Sequence, residues 1–148
     1  MPPSILTGME SLTEAALVAA PPETVWHDLT DPVALAEWFW PERFETTTVV
    51  EAELRGLWEV SSTVAGMAVQ GEVLGMDEPR ELRLLWRWAG EEHTTDVTIT
   101  LEPAADASTR VTVRQIGFAN AAERDDHIQG WTDCLDRLVA RHARHPGR

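Results

Sequence analysis

The sequence predicts an α+β fold in which an antiparallel sheet of about seven strands is covered by one long C-terminal helix. From residue 44 to residue 116 apolar and polar residues mostly alternate, which is typical of strands with one buried face. After Phe118 the apolar period changes to that of an amphipathic helix. A sheet with one apolar face needs a cover, and this helix is the only element large enough to supply it.

The N-terminal part of the domain predicts one strand and two short helices. The strand covers residues 12–18, and Pro22 suits the first turn of the helix that follows because its missing N–H is not needed there. Asp31, which precedes another proline, is the predicted N-cap of the second helix. This helix ends near Trp38, since Pro41 bars its continuation.

Six further strands are predicted within residues 46–116, and short connections between them favour an antiparallel meander. Three of the strands have well-defined inward residues. These are Leu82, Leu84, Trp86 and Trp88 in the first, Val97, Ile99 and Leu101 in the next, and Val111, Val113 and Gln115 in the last. The final helix is predicted from Ala121 to about Ala143. Its apolar stripe consists of Ile128, Trp131, Leu135 and Leu138.

Length and composition indicate one globular domain. A chain of 148 residues, 43% of them hydrophobic, can build a single core, which we assign to residues 11–148, with residues 1–10 as a flexible N-terminal tail. No apolar run approaches the length of a membrane span and no signal peptide is evident, so a cytoplasmic location is expected. The net charge of -13 opposes binding to nucleic acid or anionic lipid. With Cys134 as the only cysteine, neither a disulfide nor a thiolate metal cage is expected.

The stretch EWFWP, residues 37–41, places three aromatic side chains side by side. Neither a helix nor a strand can bury Trp38, Phe39 and Trp40 on one face. Two interpretations remain open. The cluster plugs the end of the core, or one ring points into the core and another lies over the mouth of a cavity.

Five stretches carry a resemblance to a known family: APPETVWHDLTDPVALAEWFWP, GEVLGMDEPRELRLLWRW, TDVTITLEP, STRVTVRQIGF and HIQGWTDCLDRL. The matching positions are Ala20, Val25, Trp26, Trp38, Pro41, Pro79, Leu82, Thr109, Gly130 and Trp131. In order and spacing, over residues 12–140, they resemble the START-like (Bet v 1-like, SRPBCC) superfamily and, within it, the activator of Hsp90 ATPase homologue family. One departure is ELRGLW, where the family often has an Asp-x-Arg-x-Gly-Gly hairpin and this chain has Glu53 and the single Gly56.

The resemblance implies a helix-grip fold, in which the sheet is curved and wraps around the long helix with a cavity between them. Cavities of this superfamily bind apolar or amphipathic small molecules, and some members use them for catalysis. The eukaryotic co-chaperone that gives the family its name has an additional N-terminal domain, for which these 148 residues leave no room. The Hsp90 function is therefore not expected here.

The residues expected to line such a pocket are aromatic or polar side chains on its predicted walls. They are Trp38, Trp40, Trp58, Trp86, Trp88, Gln115, Phe118, His127, Gly130 and Trp131. His127 lies four residues before Trp131, so it is either a hydrogen-bonded core histidine or a polar group facing a ligand. Gln115 either fixes a ligand carbonyl or bonds to His127. Gly130, costly inside a helix, serves either close packing or space for a ligand.

No catalytic motif, metal site or cofactor site is evident. Glu59 and Glu72 are expected to face solvent rather than the cavity, and His142 and His145 to be solvated near the chain end. Cys134 is expected to be a small buried hydrophobe. Three functions stay open: small-molecule binding as the first choice, a cavity-based enzyme of the polyketide cyclase/dehydratase type, and a protein-interaction or co-chaperone-like module. The sequence does not determine the oligomeric state.

Overall fold

The computed structural model describes residues 10–143 and confirms the predicted architecture. The strands are β1 (Glu10–Val18), β2 (Thr47–Val50), β3 (Leu57–Ser62), β4 (Met67–Asp77), β5 (Glu81–Trp86), β6 (Thr95–Ala104) and β7 (Ser108–Phe118). The α-helices are α1 (Pro22–Thr30), α2 (Pro32–Trp38) and α3 (Ala121–Arg141), and short 3₁₀ turns cover Glu42–Phe44 and Ala105–Ala107. The sheet is antiparallel with strand order β1-β7-β6-β5-β4-β3-β2.

The helix boundaries follow the local signals in the sequence. The carboxylate of Asp31 accepts a hydrogen bond from the backbone N–H of Ala34 at 3.0 Å, so the predicted N-cap of α2 is confirmed. The side chain of Asn120 caps α3 in the same way, accepting from the N–H of Glu123 at 2.8 Å. The last helix ends at Arg141, two residues before the predicted end.

The inward faces of β5, β6 and β7 are buried as predicted. All the residues named for these three strands are buried except Trp88, which lies beyond the end of β5 and is half-buried. Trp88 still makes a single antiparallel bridge to Val69, so the chain continues beside β4 for two more residues. Glu59 and Glu72 lie on the opposite face of the sheet from the buried Trp58 and Val73, as expected for solvent-facing carboxylates.

The predicted strand over residues 46–54 is shorter than expected, because the chain turns at its end. β2 stops at Val50, and Arg55 adopts a left-handed backbone with φ of 68°. A Cβ at Gly56 would lie 2.2 Å from the carbonyl oxygen of Glu51, so only glycine fits there. The single glycine of ELRGLW therefore occupies the position where a side chain is excluded, and Arg55 takes the left-handed position.

The C-terminal end of α3 is fixed to α1 by a buried carboxylate. Asp28, 2% exposed, accepts hydrogen bonds from Arg141 Nε at 3.0 Å and His142 Nε2 at 2.6 Å. Arg141 also pairs with Glu37 at 2.8 Å. Burial alone would lower the pKa of Arg141, but the two carboxylates outweigh it and raise that pKa. The expectation that His142 is solvated is wrong, because its ring contacts a carboxylate that needs a counter-charge.

Two predictions concern residues at the chain ends. The flexible tail at residues 1–10 lies outside the described residues, apart from Glu10, which is the first residue of β1. His145 also lies outside them. Within residues 10–143, none of the helices combines the length and apolar composition needed to cross a bilayer.

Candidate ligand-binding cavity

A cavity of about 350 Å³ opens between the end of β5, the segment that follows α2, and the middle of α3. Most of its wall is aromatic. The rings are Phe39, Trp40, Phe44, Trp86, Trp88 and Trp131. Met67 and Pro41 add further apolar surface, so an occupant would meet an almost continuous apolar wall.

The EWFWP cluster forms one side of this cavity because its three rings point in different directions. Trp38 turns into the core and donates its indole N–H to the carbonyl of Asp28 at 3.0 Å. Phe39 lies at the centre of the aromatic cluster, with its ring edge-on to Trp58 and Trp131 at 5.5 and 5.8 Å. Trp40 reaches the cavity wall. One ring thus fills the core and another borders the opening, as in the second of the two sequence interpretations.

Trp40 and Trp88 lie with their ring planes nearly parallel. Their centroids are 6.4 Å apart and the planes differ by 5°. Trp88 is also edge-on to Trp86 at 6.0 Å, and Trp86 packs against Trp131 at 5.4 Å. The indoles therefore form a chain that runs from the opening to the core, and each of them shapes the cavity wall.

The indole N–H groups of these tryptophans differ in whether they have a hydrogen-bond acceptor. Trp88 donates to His127 Nε2 at 2.9 Å, and Trp131 donates to Gln115 Oε1 at 2.8 Å. Trp86 is 4% exposed, yet its Nε1 has no hydrogen-bond partner within residues 10–143. A buried N–H without a partner costs about 1–3 kcal/mol. The Trp86 ring lines the cavity, but this N–H lies beneath the cavity surface and has no acceptor among the described residues.

His127 is held in one tautomer by two contacts with the protein. Nδ1 lies 2.8 Å from the carbonyl oxygen of Glu123, which only accepts, so the proton is on Nδ1. Nε2 is then the acceptor for the Trp88 indole. Because both ring nitrogens are used, the contacts fit the hydrogen-bonded core histidine and leave no free lone pair for proton transfer.

Gln115 does not bond to His127. It is fully buried on β7, donates to Thr95 Oγ1 at 2.8 Å and accepts from the Trp131 indole. Its amide therefore fixes the orientation of Trp131 rather than facing the cavity. The Phe118 ring packs against the His127 ring with their centroids 4.8 Å apart, and it does not line the cavity.

Charged side chains lie around the opening. They are Arg43, Arg137, Asp126 and Asp133. Arg137 donates from Nε to the carbonyl of Trp38 at 3.0 Å and from Nη2 to the carbonyl of Phe39 at 2.8 Å. These contacts satisfy carbonyls at the C-terminal end of α2, where the helix provides no partners. Arg137 thereby attaches α3 to the aromatic segment.

Cys134 lies in the same wall as a buried thiol. Its Sγ donates to the carbonyl of Phe39 at 2.9 Å. Burial raises the pKa of Cys134 to about 12, against the opposing effect of the nearby Arg137 guanidinium. The thiol is thus neutral at physiological pH, in agreement with its expected role as a small buried group.

Six of the ten sequence-predicted pocket residues lie in the cavity wall: Trp40, Trp86, Trp88, His127, Gly130 and Trp131. The other four support the wall or the core without lining the cavity, namely Trp38, Trp58, Gln115 and Phe118. Trp58 is fully buried and donates to the carbonyl of Leu29 at 3.0 Å. At Gly130 a Cβ would meet no atom within 4 Å, so the glycine leaves open space and does not serve close packing.

The sequence reasoning missed several wall residues. Phe39 stands between two predicted members and Phe44 follows Trp40 by four residues, and their aromatic character was the available signal. Arg43 and Arg137 carried no such signal, because the cavity lies beside them only after α3 crosses the end of α2. Within the described part of the chain, no group of three or more His, Cys, Asp or Glu side chains is arranged to hold a metal ion.

A curved antiparallel sheet around a long helix, with an aromatic cavity between them, defines a helix-grip protein of the START-like class. The sequence matches the family described as activator of Hsp90 ATPase homolog 1-like protein over residues 19–143. The chain belongs to this family.

Solved structures share the fold at low sequence identity. Protein CV1439 from Chromobacterium violaceum is 26% identical with a TM-score of 0.78, and the match covers 91% of this chain and 98% of that one. PFC0360w, an HSP90 activator from Plasmodium falciparum, is 16% identical with a TM-score of 0.70, covering 88% and 94%. DynU16, from the dynemicin biosynthetic locus, is 24% identical with a TM-score of 0.76, covering 88% of this chain and 46% of that one. No curated protein matches the sequence.

Proposed function

We propose that this protein binds an apolar or amphipathic small molecule in the aromatic cavity. The observation that carries the proposal is the open cavity lined by six aromatic rings, beside which Gly130 leaves space. A pocket of this kind, apolar with few polar groups, is typical of small-molecule sites. Family membership supports the same function, because cavities of this fold class bind such ligands.

The volume and wall chemistry limit the ligand. A cavity of 150 Å³ holds one benzene ring, so about 350 Å³ corresponds to roughly two rings. Planar rings suit walls built from Trp and Phe, which favour offset or edge-on contacts. A carbonyl or similar acceptor on the ligand would satisfy the Trp86 donor once a small rotation of the ring brings its N–H to the cavity surface. The ligand class is therefore a flat two-ring molecule with one hydrogen-bond acceptor.

The contacts of His127 favour binding over catalysis. Its two ring nitrogens are engaged by Glu123 and Trp88, and among residues 10–143 no second imidazole lines the cavity. Cys134 is neutral because of its raised pKa, so it lacks the thiolate of a nucleophile. The net charge of -13 continues to predict that nucleic acid is not a partner.

Two matched probes test the donor. The affinities of 2-acetonaphthone, a two-ring ketone, and 2-ethylnaphthalene, which lacks the oxygen, are measured by tryptophan quenching and calorimetry. The ketone should bind about fivefold more tightly, as expected for one net hydrogen bond. Trp86→Phe keeps a ring but removes the N–H, so it should abolish the difference between the two probes.

A second pair of variants tests the location. Gly130→Leu should keep a cooperative melt but block both probes, because its side chain enters open space in the wall. Gln129→Leu adds the same group at the neighbouring exposed position and should leave binding unchanged. If neither probe binds the unmodified protein with one-to-one stoichiometry, the proposal is wrong.

A further inference from the structure

A second, more polar groove lies beside the aromatic cavity. It has a volume of about 470 Å³ and lies between the turn from β3 to β4, with Ser62 and Thr63, and the connection after β5, with Glu91. Met67 and Trp88 line both the groove and the cavity. These two side chains therefore lie between the two spaces.

The backbone of Trp88 is held by pairing with a neighbouring strand, whereas its side chain makes one hydrogen bond. Its backbone pairs with Val69, and the next residue, Ala89, donates its N–H to the carbonyl of Ala68 at 2.9 Å. The indole is half-buried, lies parallel to Trp40, and has a single hydrogen bond, to His127 Nε2 at 2.9 Å. Rotation of the side chain thus requires loss of that bond and of the ring contacts with Trp40 and Trp86, but no change in the sheet.

The hydrogen bond depends on the tautomer that α3 imposes on His127. Because Nδ1 donates to the carbonyl of Glu123 within the helix, Nε2 is free to accept from the indole. The long helix therefore holds Trp88 in the position that separates the cavity from the groove.

We propose that the ligand site extends past Trp88 into the groove, and that the Trp88–His127 hydrogen bond determines the length of ligand that is accepted. This inference depends on the proposed function. With the bond intact the cavity accepts a two-ring molecule. With the indole rotated, the joined spaces accept an elongated molecule whose rings remain in the cavity and whose chain enters the groove.

The residues of the groove wall determine which chemical groups suit the part of the ligand that enters the groove. Its polar side chains are hydroxyls and Glu91, and no basic residue of the described part of the chain, residues 10–143, lines it. A neutral hydroxylated or a cationic extension therefore suits it, and an anionic one does not. The elongated ligand is expected to be amphipathic, with a planar apolar end and a polar, uncharged or positively charged end.

The test compares 2-acetonaphthone with a longer naphthyl ketone whose acyl chain ends in an ammonium group. His127→Phe keeps a ring beside Phe118 but removes the acceptor, and Trp88→Phe removes the donor. Each should raise the ratio of long-probe to short-probe affinity about fivefold, the equivalent of one hydrogen bond. Adding Glu91→Gln to either variant should reverse the gain for the long probe.

The outcomes separate this inference from the proposed function. If the short probe binds but both probes respond equally to the His127 and Trp88 variants, or neither responds, the groove is not part of the site and this inference is wrong. If the short probe does not bind the unmodified protein, the proposed function fails, and this inference fails with it. Cooperative thermal melts establish that each variant is folded, and either single variant suffices for the comparison.

Discussion

The two halves of α3 belong to one helix but meet different surroundings. All four fully buried residues of the helix lie in its second half, at Trp131, Cys134, Leu135 and Leu138. The first half, residues 121–130, has no fully buried residue, and beside Gly130 there is open space. Both halves contribute residues to the cavity wall, but only the second half also places fully buried side chains in the core.

The polar contacts follow the same division. In the second half, Arg137 bonds to carbonyls at the end of α2, and Arg141 with His142 bonds to Asp28 of α1. In the first half, Arg124 pairs with Glu10 at 2.6 Å and His127 holds Trp88. Both halves are thus attached to the rest of the domain, and they differ in how deeply their side chains are buried. The following predictions test this division.

The largest effect is expected for Trp131→Ala, which should lower the free energy of unfolding by about 3–5 kcal/mol. The substitution leaves a core cavity and deprives Gln115 of a partner. Ile128→Ala, on the same stripe but half-buried, should cost about 1–2 kcal/mol. Urea denaturation measures both, and equal losses would mean that the two halves are packed alike.

The second-largest effect is expected at Asp28, whose carboxylate links the end of α3 to α1. Asp28→Ala should cost about 2–3 kcal/mol, because Arg141 and His142 lose a buried acceptor. Glu37→Gln removes the exposed partner of Arg141 and should cost less than about 1 kcal/mol. A loss for Asp28→Ala as small as that for Glu37→Gln would show that the end of α3 is held by apolar packing alone.

The buried thiol predicts alkaline destabilisation. In the unfolded chain a cysteine ionises near pH 8.5, whereas burial raises the pKa of Cys134 to about 12. The stabilising effect is fully present below about pH 8.5 and is lost as the pH rises towards 12, with a decrease of about 2 kcal/mol between pH 8 and pH 10.

The sequence makes this measurement simple to interpret. It contains no lysine and no tyrosine, so apart from the α-amino group few other groups titrate in that interval. Denaturation at several pH values should show the decrease in the unmodified protein and a flat profile in Cys134→Ala. The same alkaline decrease in the variant would mean that the thiol is not its source.

The smallest effect is expected at Gly130. Gly130→Ala should raise the free energy of unfolding by about 0.5–1 kcal/mol, because alanine favours the helix and its Cβ meets no atom within 4 Å. Thermal melts with and without the two-ring ketone distinguish stability from binding. A destabilised Gly130→Ala would contradict the open space at this position.

The candidate site was predictable only where local patterns placed residues on a known face. Strand parity placed Trp86 inward, helical spacing placed His127 and Trp131 on one face, and the cost of glycine marked Gly130. The partners of these groups were not predictable in the same way. Gln115 was expected either to fix a ligand carbonyl or to bond to His127, but Gln115 and His127 each bond to a different tryptophan.

The amino-acid sequence by itself determined the elements of this protein: the alternation of the strands, the apolar period of α3, and the start of α2 at Asp31. These depend on interactions between residues close in the chain, which a local pattern records. The tertiary structure decided which indole meets which acceptor, and that Asp28 receives Arg141 from 113 residues away. It also left the N–H of Trp86 without an acceptor within residues 10–143. Such contacts depend on strand register and on where α3 crosses the sheet, and neither is encoded in any short stretch of sequence.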